Sequence, residues 1–95
     1  MGEAMKMLMR ITLPAETANS VLAAPGLPAQ WGALLKRIGA LATRPHEQGR
    51  IQHVLLDVDL SQITPIAEAV FRLWGVKPEF LPEIVPPLYY GVRNY

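Results

Sequence analysis

Apolar and polar residues alternate from Met7 to Leu13. Met7, Met9, Ile11 and Leu13 fall on one side, and Leu8, Arg10 and Thr12 on the other. A period of two predicts a strand, and Pro14 ends it because proline has no N–H to give to a ladder. Ala15 to Ala24 has helical composition, with Glu16 and Thr17 in the first turn, until Pro25-Gly26 interrupts it. The period then changes. Leu27, Trp31, Leu34, Leu35 and Ile38 make one helical stripe, with Lys36 opposite it, Pro28 near its first turn and Gly39 behind its last.

Ala40 to Pro45 reads as a short edge strand, and His46-Glu47-Gln48-Gly49 as the loop of a hairpin. The clearest strand runs from Arg50 to Leu60. Val54, Leu56, Val58 and Leu60 share its apolar face, while Ile51, His53, Leu55, Asp57 and Asp59 share a mixed one. Ser61 or Thr64 caps the following helix, whose stripe is Ile63, Ile66, Ala67, Val70, Phe71 and Trp74. Glu68 and Arg72 are spaced for an i,i+4 pair on its outer side, and Gly75 stands at its C-cap. Val76 to Val85 predicts a last strand, placed at a sheet edge by Pro78 and Pro82. Val76, Phe80 and Ile84 share one face of it, and Lys77, Glu79 and Glu83 the other.

The order strand, helix, strand, strand, helix, strand is that of a ferredoxin-like βαββαβ fold in the α+β class. It implies a four-stranded antiparallel sheet with two helices on one face, the first and third strands central. The other face is left open and carries Leu8, Ile51, Leu55 and Leu81 among its polar residues. That much apolar surface in one patch predicts a homodimer through the sheet face.

Composition narrows the class. Ninety-five residues make one domain, with an ordered core over about 6–85 and a tail over 86–95. Nine basic and eight acidic residues give a net charge of +1, which offers no long-range field for nucleic acid or an anionic membrane. No apolar stretch reaches the roughly 18 residues of a membrane span, and the start has no signal-peptide pattern. The absence of cysteine removes disulfides, thiolate nucleophiles and cysteine-bound metals, and fits a cytoplasmic, reducing compartment. The tail holds all three tyrosines behind Pro86-Pro87. Leu88, Tyr89, Tyr90, Val92 and Tyr95 have the composition of a segment lying against a partner subunit or the sheet edge.

The run Val54-Leu55-Leu56-Asp57-Val58-Asp59, then Ser61 to Glu68, then Val76-Lys77-Pro78-Glu79-Phe80-Leu81-Pro82, resembles small uncharacterised bacterial proteins of the dimeric α+β barrel superfamily. The resemblance spans about Met9 to Val85 and rests on caps, apolar pattern and a strand end. It implies the fold and a dimer. The superfamily includes monooxygenases, isomerases and decarboxylases, and no catalytic motif of any branch carries over to a position here.

Candidate chemistry gathers on the mixed face. Arg10 and Thr12 from the first strand face the same side as His53 and Asp57 from the third, with Lys77 or Glu79 approaching from the fourth. Histidine, carboxylate and arginine together suit acid–base work on an anion. The competing reading is a polar face met by water or a dimer partner. The expected ligand-binding set is therefore Arg10, Thr12, His53, Asp57 and Glu79. His53, Asp57 and Arg10 are also the candidates for a cofactor-free isomerase- or monooxygenase-like enzyme. His53 and Asp57, four apart on one strand, are separated by roughly 13 Å, so Arg10 is expected to lie closer to either than they do to each other. Asp57 and Asp59 suit a hard cation but lack a third acidic ligand, and Asp59 equally suits the turn before the helix. His46 and His53 have no recognised ligand spacing, so no metal and no cofactor is expected. Trp31 and Trp74 read as core. The central strands offer no aromatic for base stacking, which argues against an RNA-binding module. The expected function is a homodimeric binding or structural module, holding a small ligand at the sheet face, with the enzyme as the alternative.

Overall fold

The computed structural model describes residues 5–82. The first strand, β1 (Met5–Thr12), buries Met7, Met9 and Ile11 on one face, and Leu13 just past its end is also buried. Pro14 leaves the ladder in an extended conformation and precedes α1 (Ala15–Leu22). A second helix, α2 (Leu27–Arg37), follows before the chain returns to the sheet. The described residues therefore hold three helices where the βαββαβ reading expects two.

The next strands, β2 (Ala42–His46) and β3 (Ile51–Val58), pair antiparallel across a tight turn, Glu47–Gly49. His46 is thus the last residue of a strand and not part of the loop. Three successive turn residues have positive φ: Glu47 at 52°, Gln48 at 59° and Gly49 at 94°. That region costs a residue with a Cβ about 1–2 kcal/mol, so the turn is held from outside. Gln52, buried on the apolar face of β3, donates its side-chain Nε2 to the Gly49 carbonyl at 3.0 Å. Arg50 adds a bond from Nη1 to the Leu13 carbonyl, also at 3.0 Å.

The alternation of β3 continues in the sequence to Leu60, but the strand stops at Val58. Asp59 stops it by offering the backbone a local alternative. Its carboxylate accepts from the N–H and the hydroxyl of Ser61, both at 2.7 Å, while Gln62 Oε1 accepts from the Asp59 N–H at 2.8 Å. This reciprocal box opens a turn, Leu60–Gln62, that leads into α3 (Ile63–Trp74). Asp59 caps this turn, while α3 starts behind Gln62 without a side-chain cap, so neither Ser61 nor Thr64 caps the helix; Leu60 is 64% exposed instead of lying in the core. Ile66, Val70 and Trp74 of α3 are buried. Gly75 ends the helix at φ 79°, the left-handed conformation that favours glycine. The fourth strand, β4 (Glu79–Pro82), begins after Pro78 and not at Val76. Glu83, Ile84, Val85 and the tail 86–95 lie outside the described residues.

The sheet order is β2-β3-β1-β4, and every neighbouring pair is antiparallel. All three helices pack into one cluster with Met7, Met9, Ile11, Val54, Leu56 and Val58, so they cover one face of the sheet. Trp31 of α2 meets Trp74 of α3 edge to face, with ring centroids 5.2 Å apart; Trp74 belongs to the core and half-buried Trp31 packs against it. Among the described residues no element covers the other face. No helix among them is long and apolar enough to cross a membrane.

Gln52 carries both a core position and the support of the strained turn. Gln52→Ala is expected to cost about 1–3 kcal/mol, the usual penalty for leaving buried polar groups without their partner. Urea denaturation measures it, and an unchanged midpoint would mean that the turn holds itself.

Candidate functional site

The strand registers lay out the open face in rows that run across the sheet. Arg44 of β2 is opposite His53 of β3, His53 is opposite Arg10 of β1, and Arg10 is opposite Glu79 of β4. Two residues along lies an apolar row, Ala42, Leu55, Leu8 and Leu81. Beyond it Asp57 stands opposite Lys6. On the other side of the charged row, His46, Ile51 and Thr12 line up. The period of two along each strand puts all of these side chains on one side.

The charged row has direct contacts. Arg10 Nε donates to Glu79 Oε1 at 2.7 Å, an exposed ion pair that bridges the paired strands β1 and β4. The rings of His46 and His53 lie diagonally across the β2–β3 pair, with centroids 4.5 Å apart and planes tilted by 58°. Burial of the ring, the neighbouring His46 and the Arg10 guanidinium hold His53 below its ordinary value of 6.5, so its neutral form prevails at pH 7. His46 Nε2 is buried without a hydrogen-bond partner among the described residues.

Several expectations change against this geometry. Arg10 does lie beside His53, and Glu79 is the residue that approaches from the fourth strand. Lys77 precedes that strand and lines a groove between α3 and β4 on the helix side. Asp57 is exposed and faces Lys6, two rows from His53. The histidine, carboxylate and arginine therefore do not converge. Thr12 is exposed at the end of the face, opposite Ile51. Asp59 is committed to its cap, and Ser61 hydrogen bonds hold its carboxyl below the ordinary 3.8. Among the described residues no three His, Cys, Asp or Glu side chains gather to hold a metal. The Glu68–Arg72 ion pair expected from their spacing is not formed among the described residues.

Arg44, His46 and Lys6 complete the pattern and were not in the expected set. Their signal was available in part. Once His46 is read as strand and the turn as Glu47–Gly49, counting back from the hairpin puts Arg44 opposite His53. Chemically the face combines two adjacent imidazoles, two guanidinium groups, one carboxylate held by Arg10, and a leucine row beside them.

The depressed His53 gives a pH dependence of stability with a definite sign. Between its folded value and 6.5 the unfolded chain binds more protons, so stability rises with pH through that window and falls on acidification. Urea midpoints measured from pH 7.5 down to about 5 are expected to fall more for the natural chain than for His53→Gln. Equal pH profiles for the two would contradict the assignment.

Comparison of the chain with protein-family models, curated proteins and solved structures gave no match, so the resemblance to the dimeric α+β barrel superfamily rests on its own residues.

Proposed function

We propose that the protein is a ferredoxin-like module that works as a homodimer, closing its open sheet face against that of a second copy. The strand order β2-β3-β1-β4, with helices between the first two strands and between the last two, supports the ferredoxin-like reading, α1 and α2 together serving as the first crossover. The observation that carries the proposal is the charge pattern of the face. About the line between β1 and β3 it is antisymmetric. Arg44 on β2 is balanced by Glu79 on β4, and Asp57 on β3 by Lys6 on β1.

A two-fold axis parallel to the strands along that line would set β2 over the partner's β4 and β3 over the partner's β1. Arg44 then faces the partner's Glu79, Lys6 faces the partner's Asp57, and each pair occurs twice by symmetry. Leu55 faces the partner's Leu8; Leu8, expected in the open apolar patch, is already buried at 3% exposure, so half-buried Leu55 and Leu81 carry the apolar contact of the row. Aligned packing of two twisted sheets, about 10 Å apart, suits this arrangement. His53 faces the partner's Arg10, which a neutral imidazole accepts and a protonated one opposes. Glu79 keeps enough exposure beside Arg10, with 59% of its side chain accessible, to meet a second cation. The enzyme alternative built on His53, Asp57 and Arg10 has its carboxylate two rows from the imidazole and draws no support from the face.

Sedimentation of the natural chain at micromolar concentration is expected to give a dimer. Asp57→Lys sets two like-charge contacts across the axis and should weaken association by about tenfold, equivalent to roughly 1.4 kcal/mol. Combining it with Lys6→Asp restores the pairing and should restore the dimer. A natural chain that sediments as a monomer would overturn the proposal.

A further inference from the structure

A groove lies on the helix side, between α3 and β4, and the open sheet face takes no part in it. Ile63, Ala67 and Phe71 follow one another at four-residue spacing on α3 and form its first wall. Pro78 and Phe80 form the second. Ala67 is the smallest side chain in the helical wall and sits between two large ones, which hollows the groove at its middle. The volume is about 430 Å³, within the range of small-molecule sites. Phe71, predicted to join the core stripe, is instead 49% exposed on this wall.

The rim is polar and uneven. Thr64, Glu68, Arg72 and Lys77 surround the apolar floor, two cations against one carboxylate. Neither Arg72 nor Lys77 has an ion-pair partner among the described residues, since Arg10–Glu79 is the only pair formed there. The edge of β4 beside the groove is blunted by Pro78 and Pro82, which hinder addition of a peptide strand. An apolar floor, a surplus cation on the rim and a blunted edge select a compact occupant with an apolar body and one negative charge.

We propose that the α3–β4 groove binds a small amphipathic anion, its aromatic or aliphatic body lying between Phe71 and Phe80 and its carboxylate or sulfonate meeting Lys77 and Arg72. The assignment is independent of the dimer, because the groove and the open face share no residue.

Anilinonaphthalene sulfonate carries the right body and charge, and phenylnaphthylamine has the same ring system without the charge. Titrated into the 95-residue natural chain, the sulfonate is expected to saturate at one molecule per chain. In two-dimensional NMR of the folded protein, the amides of Ala67, Phe71, Lys77 and Phe80 should shift. Lys77→Glu, at an exposed position, is expected to weaken the sulfonate about tenfold, the effect of losing roughly 1.4 kcal/mol, while leaving phenylnaphthylamine within about twofold. Ala67→Phe, checked for a native spectrum, fills the groove and should abolish both. Equal weakening of the two probes by Lys77→Glu, or shifts mapped elsewhere, would overturn the proposal. So would refusal of the probe by the full chain, or its displacement as protein concentration rises. Those outcomes would give the groove to another segment of the chain or to a second copy.

Discussion

The register of β1 against β3 is the constraint on which the rest of the molecule depends. Met9 is set opposite Val54 and Arg10 opposite His53. With that choice Met7, Met9, Ile11, Val54, Leu56 and Val58 all turn toward the helices. A slip of one residue would turn one strand's share of this apolar set toward the open face and carry either Arg10 or His53 and Asp57 into the core. Burying those charges without partners costs far more than any turn or cap can return. The core therefore selects the register, and the register writes the rows of the open face as a by-product. The pairings of β2 with β3 and of β4 with β1 then complete the order of charges from Arg44 to Glu79.

The two ends of β3 are controlled locally, and each control has a consequence for function. At the start, the strained Glu47–Gly49 turn is held by Gln52 and fixes how β2 lies against β3. That alignment puts His46 diagonally beside His53 and so makes an imidazole pair from residues far from any recognised spacing. At the finish, Asp59 withdraws the backbone from the sheet and redirects it into α3. The start of α3 in turn places Ile63 and Ala67 along the groove facing β4. Both faces of the molecule thus inherit their geometry from side-chain hydrogen bonds at the ends of one strand.

Much of this was legible in the sequence, for reasons that can be named. β1 and most of β3 alternate because one face is buried and the other is not. Ile66, Val70 and Trp74 follow a helical period, and Gly75 ends the helix for a conformational reason visible in its type. What was not legible depends on competition between local and periodic signals. The run Asp57-Val58-Asp59-Leu60 alternates perfectly, yet the hydrogen bonds of Asp59 with Ser61 and Gln62 override it. His46 looked like loop because Glu47 and Gln48 are not residues that announce positive φ. Phe71 fits the apolar stripe by spacing alone, and only the position of β4 shows that its side of the helix is a groove rather than a core. The polar candidates were chosen by face, which the period supplies. Which of them meet depends on register, which the period does not supply. Asp57 was therefore grouped with His53 although it stands beside Lys6.

The proposed pairing of the face with itself about an axis along the strands is directly measurable, because the sequence has no cysteine. In that arrangement Ala42 of one chain faces Leu81 of the other, at opposite ends of the apolar row. Two chains, one with Ala42→Cys and one with Leu81→Cys, can be treated with a short bismaleimide separately and as a mixture. Cross-linked dimer is expected in the mixture and little in either chain alone. Efficient cross-linking of Ala42→Cys with itself would place the axis across the strands instead. Cross-linking in none of the three samples would mean that the faces do not meet.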